Sequence, residues 1–439
     1  MSVLSFRSSR WFPWRVWLQT ASRLDVLLVA FLGVTLLARV LTDDLASPNS
    51  RHSGSLDLSG GIAALFIFVA AGVLLRRRRG LLPSLLAVLW LCVWTAVAVN
   101  TSGASTETLR EGVRELSVVS LAVIVYNAGG AVTVPVAARL VQFVGFAPAV
   151  VALYQLATFT GSNRAYGTFA HPDSAAMFFA IACAASLWSY LDNGRHRSDA
   201  ALMALFAVAL IATFSIDGLL TLALMLTLLG VLRPGSLRVK LGPCVIAGIV
   251  VFAFFATPLG AQRVASETST SLSAKGEPDS SLGWRLKKWK MLLPEWERSP
   301  IIGQGLGTTT TAEGAPGNQY ASKPPHNEYI RYLVETGLVG LMVLFGALAA
   351  LIRGLVRRRK MLSSLNEGVL NATSLAIIIV VGCLTDSLAD NTLLNSPTCY
   401  AASLIVIAAL ASHSIRMRHV PLTQPNVLGA RIRRVIVRP

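Results

Sequence analysis

A basic, tryptophan-rich segment, a glycine-rich loop and a lone histidine follow one another between residues 283 and 340. The segment starts with Trp284 and Arg285, continues through a Gly/Thr/Pro-rich loop, and ends at the sequence PPHNE (residues 324–328), where a helical pattern begins. Cationic side chains bind anions, and an imidazole accepts or releases a proton near neutral pH. These residues together indicate a site that holds an anion and transfers a proton.

His326 follows two prolines and precedes the apolar spacing of a new helix. Proline is favoured in the first turn of a helix, so the sequence places His326 at the helix start. The positive end of the helix dipole disfavours imidazolium, and a neutral imidazole accepts a proton, which suits a general base. The alternative is a histidine at the membrane interface that only bonds to a loop carbonyl.

Arg285 and Lys288 lie in an amphipathic helical segment that the sequence predicts over Leu282–Leu293, ahead of a proline. Helical spacing places both cations on one face, and Trp284 and Trp289 are expected at the depth of the lipid headgroups. A guanidinium binds phosphate oxygens in pairs, so Arg285 is a candidate phosphate ligand. The alternative is a surface helix that anionic lipid attracts.

Two further polar residues stand close to predicted helix starts. Arg164 lies in a short polar loop before a helix that begins near Pro172, and both arginine and a helix start favour phosphate. Its alternative role is a cation that reaches to the membrane interface. Asp217, at a tight turn between two apolar runs, is a candidate partner for a cation or a helix cap. The sequence GQGLG at 303–307 has no strand or long helix around it, so it indicates turns rather than a nucleotide site.

The composition shows that most of the chain faces something other than water. Of its 439 residues, 54% are hydrophobic and 14% are charged, whereas a soluble domain has about 25% charged residues. The mean hydropathy is +0.59. Apolar runs of about 17–25 residues recur, which is the length that crosses a bilayer as a helix. These features predict a polytopic membrane protein and disfavour a soluble protein with a very large core.

The formal net charge of +17 does not indicate nucleic acid binding. Lysine and arginine collect in short loops between apolar runs, as cytoplasmic loops of membrane proteins do. The five cysteines lie in or beside apolar runs, and none forms a C-x-x-C pair. The sequence therefore supports neither a disulfide framework nor a zinc site.

The apolar runs predict an all-α protein with about twelve transmembrane helices and both termini in the cytoplasm. The predicted spans are 24–42, 60–75, 81–98, 116–128, 135–157, 174–191, 200–216, 218–232, 242–258, 335–352, 369–386 and 397–412. Residues 1–439 form a single integral membrane domain in this interpretation, with an interfacial start at 1–23. A large outer loop at 259–330 separates the ninth and tenth spans, and a basic cytoplasmic tail occupies 413–439.

Two motifs resemble the O-antigen ligase and O-antigen polymerase superfamily. One reads W-R…W…P-I-I-G-x-G-x-G…H-N-E-Y…E-x-G-L-x-G over about residues 283–345, and the other is R-x-x-G-T-F-x-H-P-D at Arg164–Asp173. The rest of the chain agrees only in hydropathy. Many relatives carry Asn where Asp173 stands, and their turn after the seventh span is often Ser-Arg-Gly, where this chain has Ser215-Ile-Asp217-Gly218.

The resemblance implies a fold of the lipid-dependent glycosyltransferase C type with a periplasmic active site in a bacterial inner membrane. It implies transfer of a glycan from undecaprenyl pyrophosphate to a sugar hydroxyl. The acceptor is lipid A-core for a ligase, the interpretation that we favour, or another lipid-linked glycan for an O-antigen or exopolysaccharide polymerase.

The resemblance also implies roles for individual residues. By position, His326 is expected to be the base that activates the acceptor hydroxyl, while Arg164 and Arg285 hold the pyrophosphate. Supporting contacts are expected from Lys288, Asn327, Glu328, Tyr329 and Asp217. No metal ion, nucleotide or other cofactor is expected, because arginine meets the charge of the leaving pyrophosphate.

A secondary transporter with about twelve helices is the competing class of protein. It predicts internal symmetry, helices broken by Gly or Pro, and ionisable groups at mid-membrane in both halves. The sequence shows no internal repeat, and its notable charges lie in predicted outer loops. These observations favour the enzyme.

Overall fold

The structure is a computed structural model that describes eleven stretches of the chain. They are residues 22–43, 58–77, 80–102, 106–128, 131–158, 164–192, 196–233, 236–269, 280–311, 324–362 and 367–411. Within these ranges every regular element is a helix. The predicted interfacial start lies almost entirely outside the described residues, and the predicted basic tail at 413–439 lies wholly outside them.

The described stretches contain fifteen α-helices, which we number in chain order. They are α1 (Arg23–Leu41), α2 (Leu58–Arg77), α3 (Leu81–Ser102), α4 (Thr106–Ala128), α5 (Val134–Thr158), α6 (Pro172–Asp192), α7 (Arg197–Ala212), α8 (Ile216–Leu232), α9 (Leu237–Phe255), α10 (Pro258–Thr268), α11 (Ser281–Arg298), α12 (Thr308–Thr311), α13 (Glu328–Leu362), α14 (Glu367–Asp386) and α15 (Ser396–Ala411).

Each predicted span corresponds to one of these helices; α11 and α12 lie within the predicted outer loop at 259–330, and α10 begins one residue before it. By length and apolar composition, seven described helices can cross a membrane, namely α1, α2, α3, α5, α6, α9 and α13. The helices α8, α14 and α15 are apolar but shorter. The first turns of α4 and α7 carry charged residues. The protein is thus a multi-pass helical membrane protein, and twelve crossings with both termini inside stay a prediction.

Helix α6 is the centre of the bundle. It packs against α5, α7, α8, α14 and α15. Of the residues in its most apolar 18-residue stretch, 83% are buried. Its many alanines, including Ala175, Ala176 and Ala180, are fully buried, and small side chains let neighbouring helices approach closely. The buried body of α6 therefore fixes the position of its first turn, which carries Asp173 and follows His171.

Several helix ends meet at one end of the bundle, which we call the site end. It contains the starts of α6, α8, α13 and α15 and the ends of α7 and α14. Backbone hydrogen bonds join these ends, from Ala165 N to Ala212 O at 3.0 Å and from Glu328 N to Ser387 O at 3.0 Å. The site end therefore holds segments that are far apart in the sequence in fixed positions.

The glycine-rich sequence at 300–307 packs against a break in α13. At the break, Gly337 has a φ of 62° and a ψ of −167°. Leu338 N donates to Pro300 O at 3.0 Å, and Gly305 N donates to Glu335 O at 2.8 Å. A Cβ on Gly337 would lie 2.3 Å from the backbone oxygen of Ile301. The glycines here permit close backbone contact, which side chains would prevent.

Candidate active site

His326 lies just outside α13, two residues before the helix begins. Asn327 is the cap, because its Oδ1 accepts a hydrogen bond from Ile330 N at 3.0 Å. The expectation that His326 lies in the first helical turn is therefore wrong. Asparagine is a much better cap than histidine, and His326 instead adopts the left-handed region with a φ of 50°.

The imidazole of His326 is held by a carboxylate and two rings. Its Nδ1 lies 2.7 Å from Oδ1 of Asp390, and 21% of the His326 side chain is exposed. The rings of Trp284 and His171 each lie 5.7 Å from it, centroid to centroid. Because an ionised carboxylate only accepts hydrogen bonds, we assign the proton to Nδ1, which leaves Nε2 to accept another. The arrangement suits a general base.

Asn327 and Glu328 fix the connection that carries Asp390 between α14 and α15. Nδ2 of Asn327 donates to Leu388 O at 2.9 Å. Oε1 of Glu328 accepts from the backbone N–H groups of Leu393 and Leu394 at 2.9 and 3.1 Å. These contacts lie on both sides of Asp390 in the sequence, so the residues directly after His326 position its carboxylate partner.

Arg164 is tied to the end of α7 and to the start of α6. Its Nε donates to Thr213 O at 2.7 Å, and its Nη2 forms an ion pair with Asp173 in the first turn of α6. The other oxygen of Asp173 lies 3.3 Å from Nδ1 of His171. Asp173 thus links the arginine to the imidazole that packs beside His326.

Arg285 approaches the same carboxylate from α11. Its Nη2 lies 4.0 Å from Oδ2 of Asp173 and 3.8 Å from Oδ2 of Asp217. Ser215 donates to the other oxygen of Asp217, and among the described residues Oδ2 of Asp217 has no hydrogen-bond donor. Because both ion pairs of Arg285 are longer than hydrogen bonds, its N–H groups remain available to a ligand.

His171 adds a second imidazole to the wall of this site. Although 48% of its side chain is accessible, protein surrounds it closely enough that desolvation lowers its pKa below the usual 6.5. The carboxylates of Asp173 and Asp390 raise that pKa, and His326 and Arg164 lower it further. A neutral His171 at neutral pH can exchange hydrogen bonds with an uncharged ligand group such as a hydroxyl.

These residues form one group, which we call the polar cluster. Its members are His326, Asp390, His171, Asp173, Arg164, Arg285 and Asp217. The imidazole and the two guanidinium groups that sequence analysis selected therefore meet at the site end, joined through His171 and Asp173. An arrangement with a proton acceptor beside two cations can bind an anion and deprotonate a neighbouring hydroxyl.

Lys288 and Tyr329 point away from the polar cluster. Lys288 is fully buried, and its Nζ donates to Thr309 O at 3.4 Å. The hydroxyl of Tyr329 donates to Leu384 O at 2.7 Å, and its ring stacks on Phe345. The structure thus gives both residues packing and hydrogen-bonding partners outside the cluster.

Glu328 also belongs to a second buried group, centred on Arg331. Nε of Arg331 donates to Glu328 at 2.6 Å, and its Nη1 lies 2.9 Å from Glu111 and 3.2 Å from Glu335. Glu115 lies 3.7 Å away. This group ties α4 to α13 and leaves the side chain of Glu328 facing away from His326.

Helix α11 is longer than the sequence predicted. It continues through Pro294 to Arg298 rather than ending at Leu293. The proline removes only the hydrogen bond to the carbonyl of Lys290, which is exposed and can be hydrated. Trp289 donates to Pro325 O at 2.8 Å, and its expected place at headgroup depth stays a prediction. This bond joins α11 to the residue before His326.

Three residues at the site end have side chains that could take part in binding or catalysis, but they were not selected from the sequence. His171 was part of a quoted motif but received no role. Asp390 stands in a polar connection after an apolar run, and no spacing links it to His326. Arg263 of α10 lies close enough to Arg164 and Arg285 to interact with them electrostatically. The sequence signal available for it was a single cation at the start of the outer loop.

The fold and the polar cluster together describe a multi-pass helical membrane protein with imidazole, guanidinium and carboxylate groups gathered at one end of its helical bundle. Residues 201–345 match a family model described as O-Antigen ligase. This range covers about a third of the chain and includes Asp217, Arg285 and His326. The match supports the O-antigen ligase and polymerase superfamily, which the motifs resemble. No curated protein matches the chain.

Proposed function

We propose that this protein is a glycosyltransferase of the O-antigen ligase type in a bacterial inner membrane, with a glycosyltransferase C-like fold. It moves a glycan from a prenyl diphosphate, of the undecaprenyl type, to a sugar hydroxyl at the periplasmic face. The observation that carries the proposal is the meeting of His326, Arg164 and Arg285 in the polar cluster, together with the match to the family.

His326 supplies the base for this reaction. Its Nε2 takes the proton of the acceptor hydroxyl as the oxygen attacks the anomeric carbon of the donor sugar. Asp390, held 2.7 Å from Nδ1, orients the ring and stabilises the imidazolium that forms. The proton passes to water or to the released diphosphate before the next cycle, so His326 returns to its neutral form.

Arg164 and Arg285 act on the leaving group. When the bond between the anomeric carbon and the diphosphate oxygen breaks, negative charge accumulates on the diphosphate, and guanidinium groups aimed at it lower the barrier. Without substrate, the carboxylates of Asp173 and Asp217 balance the positive charges of the two arginines. Arg285 lies 3.8 and 4.0 Å from its carboxylate partners, farther than Arg164 lies from Asp173. Arg285 therefore needs a smaller rearrangement than Arg164 to exchange a carboxylate for a phosphate.

An in vitro transfer assay tests the proposal. The purified full-length protein in lipid nanodiscs receives a defined glycan on undecaprenyl diphosphate, together with either lipid A-core or a second lipid-linked glycan. We expect glycosylated lipid A-core and free undecaprenyl diphosphate, both detected by mass spectrometry. Product on the second acceptor alone makes the protein a polymerase of the same superfamily. No transfer to either acceptor, with donor binding intact, contradicts the proposal.

A further inference from the structure

Arg263 lies on α10, directly after the membrane-length helix α9. Thr257 caps α10, since its Oγ1 accepts a hydrogen bond from Gly260 N at 3.0 Å, and Pro258 occupies the first turn. A capped helix start and a proline make the position of Arg263 in the second turn well defined.

Two contacts hold the guanidinium of Arg263 against α11. Its Nη2 donates to Ser281 Oγ at 3.1 Å, and Ser281 lies one helical turn before Arg285. Glu267 forms an ion pair with Arg263 and accepts a hydrogen bond from Leu282 N at 3.2 Å. The side chain is therefore held beside the turn of α11 that carries Arg285.

Arg263 lies near enough to Arg164 and Arg285 for their charges to act on it, and its hydrogen bond to Ser281 places it beside the helix that carries Arg285. Burial lowers the pKa of Arg263, the Arg164 charge lowers it as well, and Glu267 and Asp173 oppose these effects. Its Nε is buried and has no hydrogen-bond partner among the described residues. Like charges repel one another when an anion is absent, so the arrangement favours a ligand with more than one negative charge.

The surface next to Arg263 is apolar. Leu259, one turn earlier on α10, is 37% exposed, and Phe252 and Phe255 at the end of α9 are 73% and 45% exposed. Arg164 and Arg285, in contrast, contact Asp173, which adjoins the imidazoles. Arg263 thus lies on the helix that carries part of this apolar surface, whereas the other two arginines adjoin the imidazoles.

We propose that Arg263 binds the lipid-proximal phosphate of the donor, so that the site selects prenyl diphosphates over prenyl monophosphates. This inference rests on the proposed function. In this arrangement Arg164 and Arg285 bind the phosphate attached to the sugar. Arg263 binds the second phosphate, next to the prenyl chain, when the donor has one. A monophosphate donor leaves Nε of Arg263 without an anionic partner, whereas Nη2 stays paired with Glu267.

Equilibrium binding of two short prenyl phosphates to the full-length protein in nanodiscs tests this inference. We expect farnesyl diphosphate to bind the natural protein about tenfold more tightly than farnesyl monophosphate, because a charge-assisted hydrogen bond distinguishes them. Arg263→Gln is expected to remove this preference while the affinity for the monophosphate changes less than about twofold. The control is Arg298→Gln, which removes a 69% exposed arginine that pairs with Glu295 and should leave both affinities unchanged.

The outcomes separate this inference from the proposed function. If Arg285→Gln abolishes diphosphate binding while Arg263→Gln keeps the preference, only the role of Arg263 is wrong. If Arg263→Gln weakens both ligands equally, Arg263 does not read the second phosphate. If the natural protein binds neither ligand, the proposed donor is wrong as well. Arg263→Lys, which keeps the charge without the paired donors, must reduce the preference if Arg263→Gln does not fold.

Discussion

Nδ1 of His326 and Oδ1 of Asp390 lie 2.7 Å apart, although 64 residues separate them in the sequence. The connection that carries Asp390 reaches His326 because Asn327 and Glu328 bind its backbone on both sides. Three consecutive residues thus act together. His326 is the proposed base, and Asn327 and Glu328 hold the connection that carries the carboxylate of Asp390. The four predictions on activity and stability that follow from this site, and one on the fold, can be tested separately.

Replacing His326 by alanine is expected to lower the transfer rate by about 10²–10⁴-fold, which is the usual contribution of a general base. Protein level and membrane insertion should stay normal, because 21% of the side chain is exposed and it is not part of the buried apolar core. The control is His196→Ala, since His196 precedes α7 at the opposite end of α6. Normal transfer by His326→Ala removes this residue from the mechanism.

Asp390→Asn is expected to lower kcat by about 100-fold while KM for the donor changes by less than about twofold. The amide can no longer stabilise an imidazolium, but it does not contact the diphosphate. Asp390→Glu should restore part of kcat, because it keeps the charge. A variant whose KM and kcat change together, without rescue by Glu, identifies a structural role instead.

Arg285→Lys is expected to reduce kcat/KM by about 10- to 100-fold. Lysine keeps the charge but cannot bind two phosphate oxygens at once, and a charge-assisted hydrogen bond contributes on the order of 1.5–3 kcal/mol. Arg298→Lys, on the same helix but 69% exposed, should leave kcat/KM unchanged. Full activity in Arg285→Lys means that the residue serves as a lipid anchor.

The stability of the protein should depend on pH through His171. Because its pKa in the folded protein lies below the usual 6.5, the unfolded chain binds a proton at a higher pH than the folded protein does. The stability from this residue is therefore full above about pH 6.5 and is lost as the pH falls toward the folded pKa. The melting temperature in detergent should decrease between about pH 7.5 and 5.5, and less so for His171→Asn. An equal decrease in both proteins contradicts the assignment.

Gly337→Ala should destabilise the fold by more than about 2 kcal/mol. The new Cβ lies 2.3 Å from the backbone oxygen of Ile301, and the φ of 62° is strained for alanine. Gly346→Ala on the same helix is the control, because a Cβ there meets nothing within 4 Å. Thermal unfolding in detergent compares the two variants. Equal melting temperatures mean that the contact at residues 300–307 does not stabilise α13.

The helices could be predicted from the sequence because a bilayer imposes the length and the apolar content of each span. The position of His326 was harder to predict, since two prolines suggested a first turn and the better cap, Asn327, stood one residue later. Pro294 gave a false helix end because its lost hydrogen bond falls on an exposed turn. In both cases the surroundings of the residue outweighed the rule for proline at helix ends: a better cap followed His326, and solvent can hydrate the free carbonyl near Pro294.

The partners in the site could not be predicted from local patterns. Asp390 and His326 are 64 residues apart in the sequence and come into contact only in the folded protein. Helical periodicity does not predict a contact between residues so far apart. Arg263 and Arg285 are brought together by the packing of α10 on α11. Lys288 shared the predicted face of Arg285, yet burial and the carbonyl of Thr309 hold it elsewhere. Sequence patterns therefore selected members of the polar cluster, among them His326, Arg164 and Arg285, as candidate site residues, but they did not predict which partners these residues contact.

An experimental structure of the protein with a bound prenyl diphosphate tests the central claim most directly. The quantities to measure are the distances from the phosphate oxygens to the guanidinium groups of Arg164 and Arg285, and the direction in which Nε2 of His326 points. We predict phosphate oxygens within about 3 Å of both arginines and Nε2 directed toward the sugar-bearing end of the ligand. A diphosphate bound away from both arginines, or on the side of the bundle opposite to His326, would contradict the account.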